Sequence, residues 1–125
     1  MKLLLDTHIL LWFVQGARSL PAKARRLIDD AEQVFVSPVS LWEASVKQAI
    51  GKLKVDVDQL HRQTIEVGFV ELPISWAHAV AVRELPDHHR DPFDRMLIAQ
   101  ALHEPLVLLT HDETLGGYSP TIIVV

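Results

Sequence analysis

The sequence predicts an α/β domain, a central mostly parallel sheet flanked by helices, and three observations carry that prediction. Leu3-Leu4-Leu5, Val34-Phe35-Val36 and Leu106-Val107-Leu108-Leu109 are short apolar runs without polar alternation, the pattern of strands buried on both faces. Ser37-Pro38 and Asp91-Pro92 each place a good N-cap before a proline, which suits the first helical position because its missing N–H would have had no partner there. Strand and helix patterns alternate along the chain, so consecutive strands must be joined by crossovers and lie parallel.

Taken in order, the first strand is Leu3 to Leu5, with Asp6 at its C-terminal end. His8 to Val14 follows as a helix stopped by Gly16. Ser19-Leu20-Pro21 opens a second helix over 22–31 that keeps Lys23, Arg25 and Arg26 on its wet face. After the strand Val34 to Val36, a helix runs from Ser37-Pro38 to Ile50 and is stopped by Gly51. Its apolar stripe of Val39, Val46 and Ile50 includes Glu43. Asp56 or Asp58 caps a helix through Val67, Phe69 to Leu72 is a short strand, and Ser75 caps a helix over 76–82 that ends before Pro86. The helix opened by Asp91-Pro92 runs to Glu104-Pro105 and carries Asp94 on one face with Leu97, Ile98 and Ala101. Leu106 to Leu109 leads to Thr110-His111-Asp112; Gly116-Gly117 is a turn, and Thr121 to Val125 a closing strand.

At 125 residues, 49% of them hydrophobic and 22% charged, the chain is expected to form a single domain over 1–125 with a real core. The absence of cysteine removes disulfides and thiolate metal sites and fits a reducing compartment. Met1 to Leu5 resembles the start of a signal peptide, but Asp6 and His8 interrupt its apolar core, and no apolar run reaches the length of a membrane span. A cytoplasmic protein is therefore expected. A formal net charge of −4 argues against a generic basic nucleic-acid binder, though not against an enzyme whose positive charge at the site is a metal ion.

Ligands of parallel sheets bind beyond the C-terminal ends of the strands. Asp6 and Asp112 stand at that edge, and the helix starts bearing Glu43 and Asp94 belong there too. Singly, most of these acids have ordinary structural roles. Asp6 can cap the next helix, Asp91 caps its own, and Asp112-Glu113 fits a turn; Ser40-x-x-Glu43 fits a capping box less well, because Pro38 already starts the helix at Ser37 and pushes Glu43 into the second turn. Asp94 resists that treatment, because a residue three positions inside a helix on its apolar side cannot cap it, and a carboxylate there must be met by something positive. Together the carboxylates would repel one another unless a cation neutralised them. Oxygen-only ligands suit a hard ion, Mg2+ or Mn2+, which recruits phosphates and activates water for attack at phosphorus.

Met1-Lys-Leu-Leu-Leu-Asp6-Thr-His, Ser37-Pro-Val-Ser-Leu-Trp-Glu43, His89-Arg-Asp-Pro-Phe-Asp94-Arg-Met-Leu-Ile-Ala-Gln-Ala and Leu109-Thr-His-Asp112 resemble PIN-domain proteins, most closely the VapC-type toxins of bacterial toxin–antitoxin pairs. The resemblance spans essentially the whole chain. It implies a three-layer PIN-like fold and a metal-dependent endoribonuclease acting on RNA. It also implies a small antitoxin protein bound over the site, and a homodimer or toxin–antitoxin hetero-oligomer. On it, Asp6, Glu43, Asp94 and Asp112 match the acidic quartet, Asp91 the extra acid of one branch, and Thr110 the hydroxyl residue near the metal.

Arg95 and Lys47 are candidates to contact phosphate or balance the acids, and Lys47 fits a solvated helix charge equally well. The seven histidines show no metal-ligand spacing; His88 and His89 would point apart, while His8 and His111 flank the acidic rim and are candidate substrate contacts. Trp12 and Trp42 fit core or dimer contacts better than base-stacking platforms. Two other functions compete. A haloacid dehalogenase-type phosphatase wants a second Asp two positions after Asp6, where His8 stands. A catalytically silent PIN-fold binding module has no need to gather four carboxylates.

Overall fold

A computed structural model describes residues 1–125. Its five strands form one sheet in the order β3-β2-β1-β4-β5, every neighbouring pair parallel: β1 (Lys2–Leu5), β2 (Gln33–Val36), β3 (Val70–Glu71), β4 (Val107–Thr110) and β5 (Ile122–Val124). Six α-helices connect them: α1 (Thr7–Gln15), α2 (Ala22–Asp30), α3 (Pro38–Ala49), α4 (Val57–Glu66), α5 (Trp76–Ala81) and α6 (Pro92–His103). The 3-10 turns Val82–Glu84 and Glu113–Tyr118 complete the chain.

Alternation along the strands creates the three layers. Leu3 and Leu5 face one side, where they pack with Ile9 and Leu10 of α1, Ala24 and Ile28 of α2 and Leu60 of α4. Leu4 and Leu108 face the other, against Leu97, Ile98 and Ala101 of α6. All three leucines of β1 are fully buried, as expected for the central strand of a sheet covered on both faces.

The helix starts follow their local signals. Ser37 Oγ accepts from the Val39 N–H at 3.1 Å and Asp91 Oδ1 from those of Phe93 and Asp94 at 2.8 and 3.1 Å, each cap followed by its proline. Asp56, not Asp58, caps α4. Gly16 ends α1 at φ 61°, left-handed backbone that a Cβ disfavours. One expectation changes. The stripe on α3 is buried only at Val39 and Glu43, whereas Val46 and Ile50 are exposed. The capping box Ser40–Glu43, the weaker alternative once Pro38 places the helix start at Ser37, does not form; Ser37 caps, and the Ser40 hydroxyl accepts from Thr7 Oγ1 at 3.1 Å.

The chain builds outward from β1 through β2 to β3, then crosses back to lay β4 and β5 on the other side of β1. That reversal leaves a crevice at the C-terminal ends of β1 and β4, the place where open α/β sheets bind ligands.

Candidate active site

Asp6 follows β1 and Thr110 ends β4, side by side across the reversal. The Asp6 N–H extends the ladder to the Leu109 carbonyl at 3.0 Å. Asp6 is buried; its Oδ1 caps α1 by accepting from the Ile9 N–H at 3.0 Å, and its Oδ2 accepts from the Thr110 hydroxyl. The helix-cap role and a place at the rim are thus held at once. Burial pushes the Asp6 carboxyl above the usual carboxylate range and the nearby negative charge of Glu43 pushes the same way, while the bonds from Thr110 and Ile9 hold it down. The same Thr110 oxygen accepts from the Asp112 N–H at 3.0 Å, so one hydroxyl positions two of the acids.

Glu43 points inward from the second turn of α3 and is 2% exposed. Oε2 accepts from Lys47 Nζ at 2.5 Å, one turn on, whereas Oε1 is buried with no partner. The bond to Glu43 raises the Lys47 pKa, against a smaller burial penalty, and the charges of Asp91 and Asp94 add to it. Lys47 is therefore an ammonium that balances the acids, not a solvated surface charge.

Asp94, in the first turn of α6, is met by His89: Nε2 lies 2.8 Å from Oδ2. Burial nevertheless raises the Asp94 pKa to about 6; the His89 bond opposes the rise, and the charges of Asp91, Glu43 and Asp6 add to it. Ligand atoms of His89, Asp94 and Asp112 all lie within 4.8 Å of one another. Asp112 is the exception among the acids. Burial works against its charged form, but the Thr114 hydroxyl and N–H, at 2.7 and 3.0 Å, outweigh it and hold the carboxyl below its ordinary range.

The rim therefore gathers Asp6, Glu43, Asp94 and Asp112, with Asp91 capping α6 close enough for its charge to act on Asp94. Arg95 is turned elsewhere. Nη1 donates to the carbonyls of Pro86 and His89 at 3.0 and 3.2 Å, and Nη2 to those of Val82 and Leu85 at 3.2 and 3.4 Å. With those donors committed it clamps the loop before α6 and leaves no free cation for a phosphate. The clamp also positions His89, which sequence reasoning passed over. The available signal was its place just ahead of the Asp91-Pro92 start, where a chain entering a helix crosses the first turn.

Asp94 and Asp112, grouped at ligand distance with His89, together with the orphaned buried oxygen of Glu43, make a carboxylate-rich set that fits a hard divalent cation such as Mg2+ or Mn2+. A second cluster does not fit one. His78 is buried, its Nδ1 accepts from the Ser75 N–H at 3.0 Å, and its Nε2 donates to Glu104 Oε2 at 2.5 Å. With both nitrogens committed, it is the far half of the box that starts α5, and His103 packs edge-on against it.

The profile of the PIN domain matches residues 3–118. No curated protein sequence matches the chain. Among solved structures, it is similar to VapBC2 from Rickettsia felis bound to a DNA fragment from its promoter, with 17% identity, a TM-score of 0.68 and coverage of 100% of this chain and 98% of that one. A toxin–antitoxin complex from Klebsiella pneumoniae gives 20% identity, a TM-score of 0.69 and coverage of 97% and 95%. FitAcB from Neisseria gonorrhoeae gives 16%, 0.67, and coverage of 98% and 96%.

Proposed function

The chain belongs to the PIN-domain family, and from that premise we propose that it is a metal-dependent endoribonuclease, a toxin neutralised by a small antitoxin protein. The observation that carries the proposal is the buried, unpartnered Oε1 of Glu43 amid Asp6, Asp94 and Asp112. Only one ammonium, Lys47, is paired into that group, so three further carboxylates lack a compensating cation of comparable strength.

In this reading Asp6, Asp94, Asp112 and Glu43 would hold Mg2+ or Mn2+, and Asp91 would lend negative charge from the cap of α6. A bound divalent ion would supply an acidified water and stabilise charge on the phosphodiester oxygens. Thr110 fixes the Asp6 carboxylate and the Asp112 backbone relative to one another. Lys47 holds Glu43 in place. His89 steadies Asp94 against the repulsion of its neighbours. No side chain has to act as nucleophile.

The solved neighbours, one of which is a toxin–antitoxin complex, support the antitoxin partner, and a hetero-oligomer or a homodimer is the assembly expected. No helix is long and apolar enough to cross a membrane, and a cytoplasmic site of action suits an RNA substrate. The test is cleavage of a panel of unstructured RNAs with Mg2+, Mn2+ or EDTA. It is paired with growth on expression alone and together with the small open reading frame beside its gene. Cleavage that needs metal, and arrest relieved by the neighbour, are expected; an inert protein over the whole panel overturns the proposal.

A further inference from the structure

The acidic crevice opens sideways into a pocket of about 240 Å³ lined by Asp6, His8, Trp12, His111 and Asp112, so that beyond the two carboxylates every wall is an aromatic ring. The fold builds this from two strand ends. α1 begins immediately after Asp6 and presents His8 and Trp12 one turn apart on one face, while His111 sits between Thr110 and Asp112 at the end of β4. Trp12 stands between the imidazoles, its ring centroid 6.0 Å from His8 and 5.4 Å from His111, the latter nearly edge-on at 70°. His111 is held by Nδ1, which donates to the carbonyl of Val125, and its ring is thereby oriented.

Trp12 is also seated. It is half-buried, with its inner edge packed on the core formed by β1, α1 and α2. The other two tryptophans differ: Trp76 is 92% exposed on α5, and Trp42 is 55% exposed against Phe93. No Lys or Arg lines the pocket and two carboxylates do, so its walls favour a flat neutral group over an anion.

We propose that this pocket is a nucleobase subsite, in which one base of a single-stranded RNA packs against the open side of the Trp12 indole and the rings of His8 and His111 while the adjoining phosphate lies over the acids. The occupant's identity rests on the ribonuclease proposal; the base-binding claim has its own readout. A base paired within a duplex cannot enter, so the pocket selects unpaired strands, and since every base has a π-face it does so with little sequence preference. Trp12, which the sequence alone fits to core or dimer contacts, takes part in both core and pocket.

The probe is a short unstructured RNA compared with the same strand made of abasic ribonucleotides, in magnesium. Protein carrying Asp94→Asn prevents turnover and, where metal binding is weakened, removes one of the carboxylates that would repel the phosphate; Trp42→Phe with Trp76→Phe leaves Trp12 as the sole indole emitter. The RNA should quench Trp12 emission and the abasic strand should not. In Asp94→Asn protein without the other changes, Trp12→Leu should weaken RNA binding by at least about fivefold, the lower end of what one lost stack removes. Trp12→Phe should restore most of it, and Trp76→Leu should have no effect. Melting curves confirm folding, and Trp12→Phe keeps the test valid if Trp12→Leu is unstable. Equal quenching by both strands, unaltered binding by Trp12→Leu, or no RNA binding at all would each overturn the proposal. Absence of cleavage by the unaltered protein sinks the ribonuclease proposal but not base binding. Cleavage with Trp12→Leu binding unchanged sinks only the pocket.

Discussion

Replacing Asp94 by Asn should remove metal-dependent function and, unusually for a buried site, make the metal-free protein more stable. The carboxyl is raised from 3.8 to about 6 by burial and by the surrounding acids, so the folded protein disfavours its ionised form. For an acid raised on folding, stability is fully present below the unfolded pKa and is lost as pH rises through the folded one, here between pH 3.8 and about 6. The rise of 6 − 3.8, about 2.2 units, corresponds to at most about 3 kcal/mol. Asp94 is in partial contact with water, and discounting for screening leaves about 1–2 kcal/mol. Asn removes that cost, since it keeps the shape and an oxygen for His89 Nε2 while carrying no charge. Thermal unfolding in EDTA should place Asp94→Asn several degrees above the unaltered protein at pH 7.5, with the gap closing by pH 4. Equal melting temperatures at pH 7.5, or a gap independent of pH, would refute the electrostatic reasoning.

Thr110→Val removes the hydroxyl that donates to buried Asp6 and accepts from the Asp112 N–H, and should cost about 1–3 kcal/mol in denaturant unfolding. Because that hydroxyl holds the raised Asp6 pKa down, the loss should be larger at pH 8 than at pH 4, and Thr110→Ser should recover much of it. His78→Ala breaks the reciprocal cap of α5 and should cost about 1–2 kcal/mol while leaving metal binding untouched, a contrast that calorimetric titration with Mn2+ checks.

Much of the fold was legible because its signals are local. A cap followed by proline fixed the starts of α3 and α6, glycine marked the end of α1, and unbroken apolar runs marked β1, β2 and β4. The gathering of the four acids at one sheet edge followed from topology, since helix starts and strand ends share that edge in a parallel sheet. What escaped depends on contacts far apart in the chain. Val46 and Ile50 have the right period on α3, but period cannot say where the covering helices stop. Arg95 lies beside Asp94 in sequence, yet its guanidinium is drawn to four carbonyls of a loop whose path no pattern announces. His89 meets Asp94 through that same loop. The strand expected over Phe69 to Leu72 shrinks to Val70–Glu71 at the sheet edge, where pairing on one side alone holds it.

The decisive measurement is the binding of Mn2+, followed by the loss of the free ion's electron paramagnetic resonance signal on titration with protein at neutral pH. Saturable binding by the unaltered chain, severely weakened in both Glu43→Gln and Asp94→Asn although each remains folded, is the predicted result. Folded, unaltered protein that leaves the Mn2+ signal unchanged, or binding that survives in both variants, would contradict a cation centre at this rim.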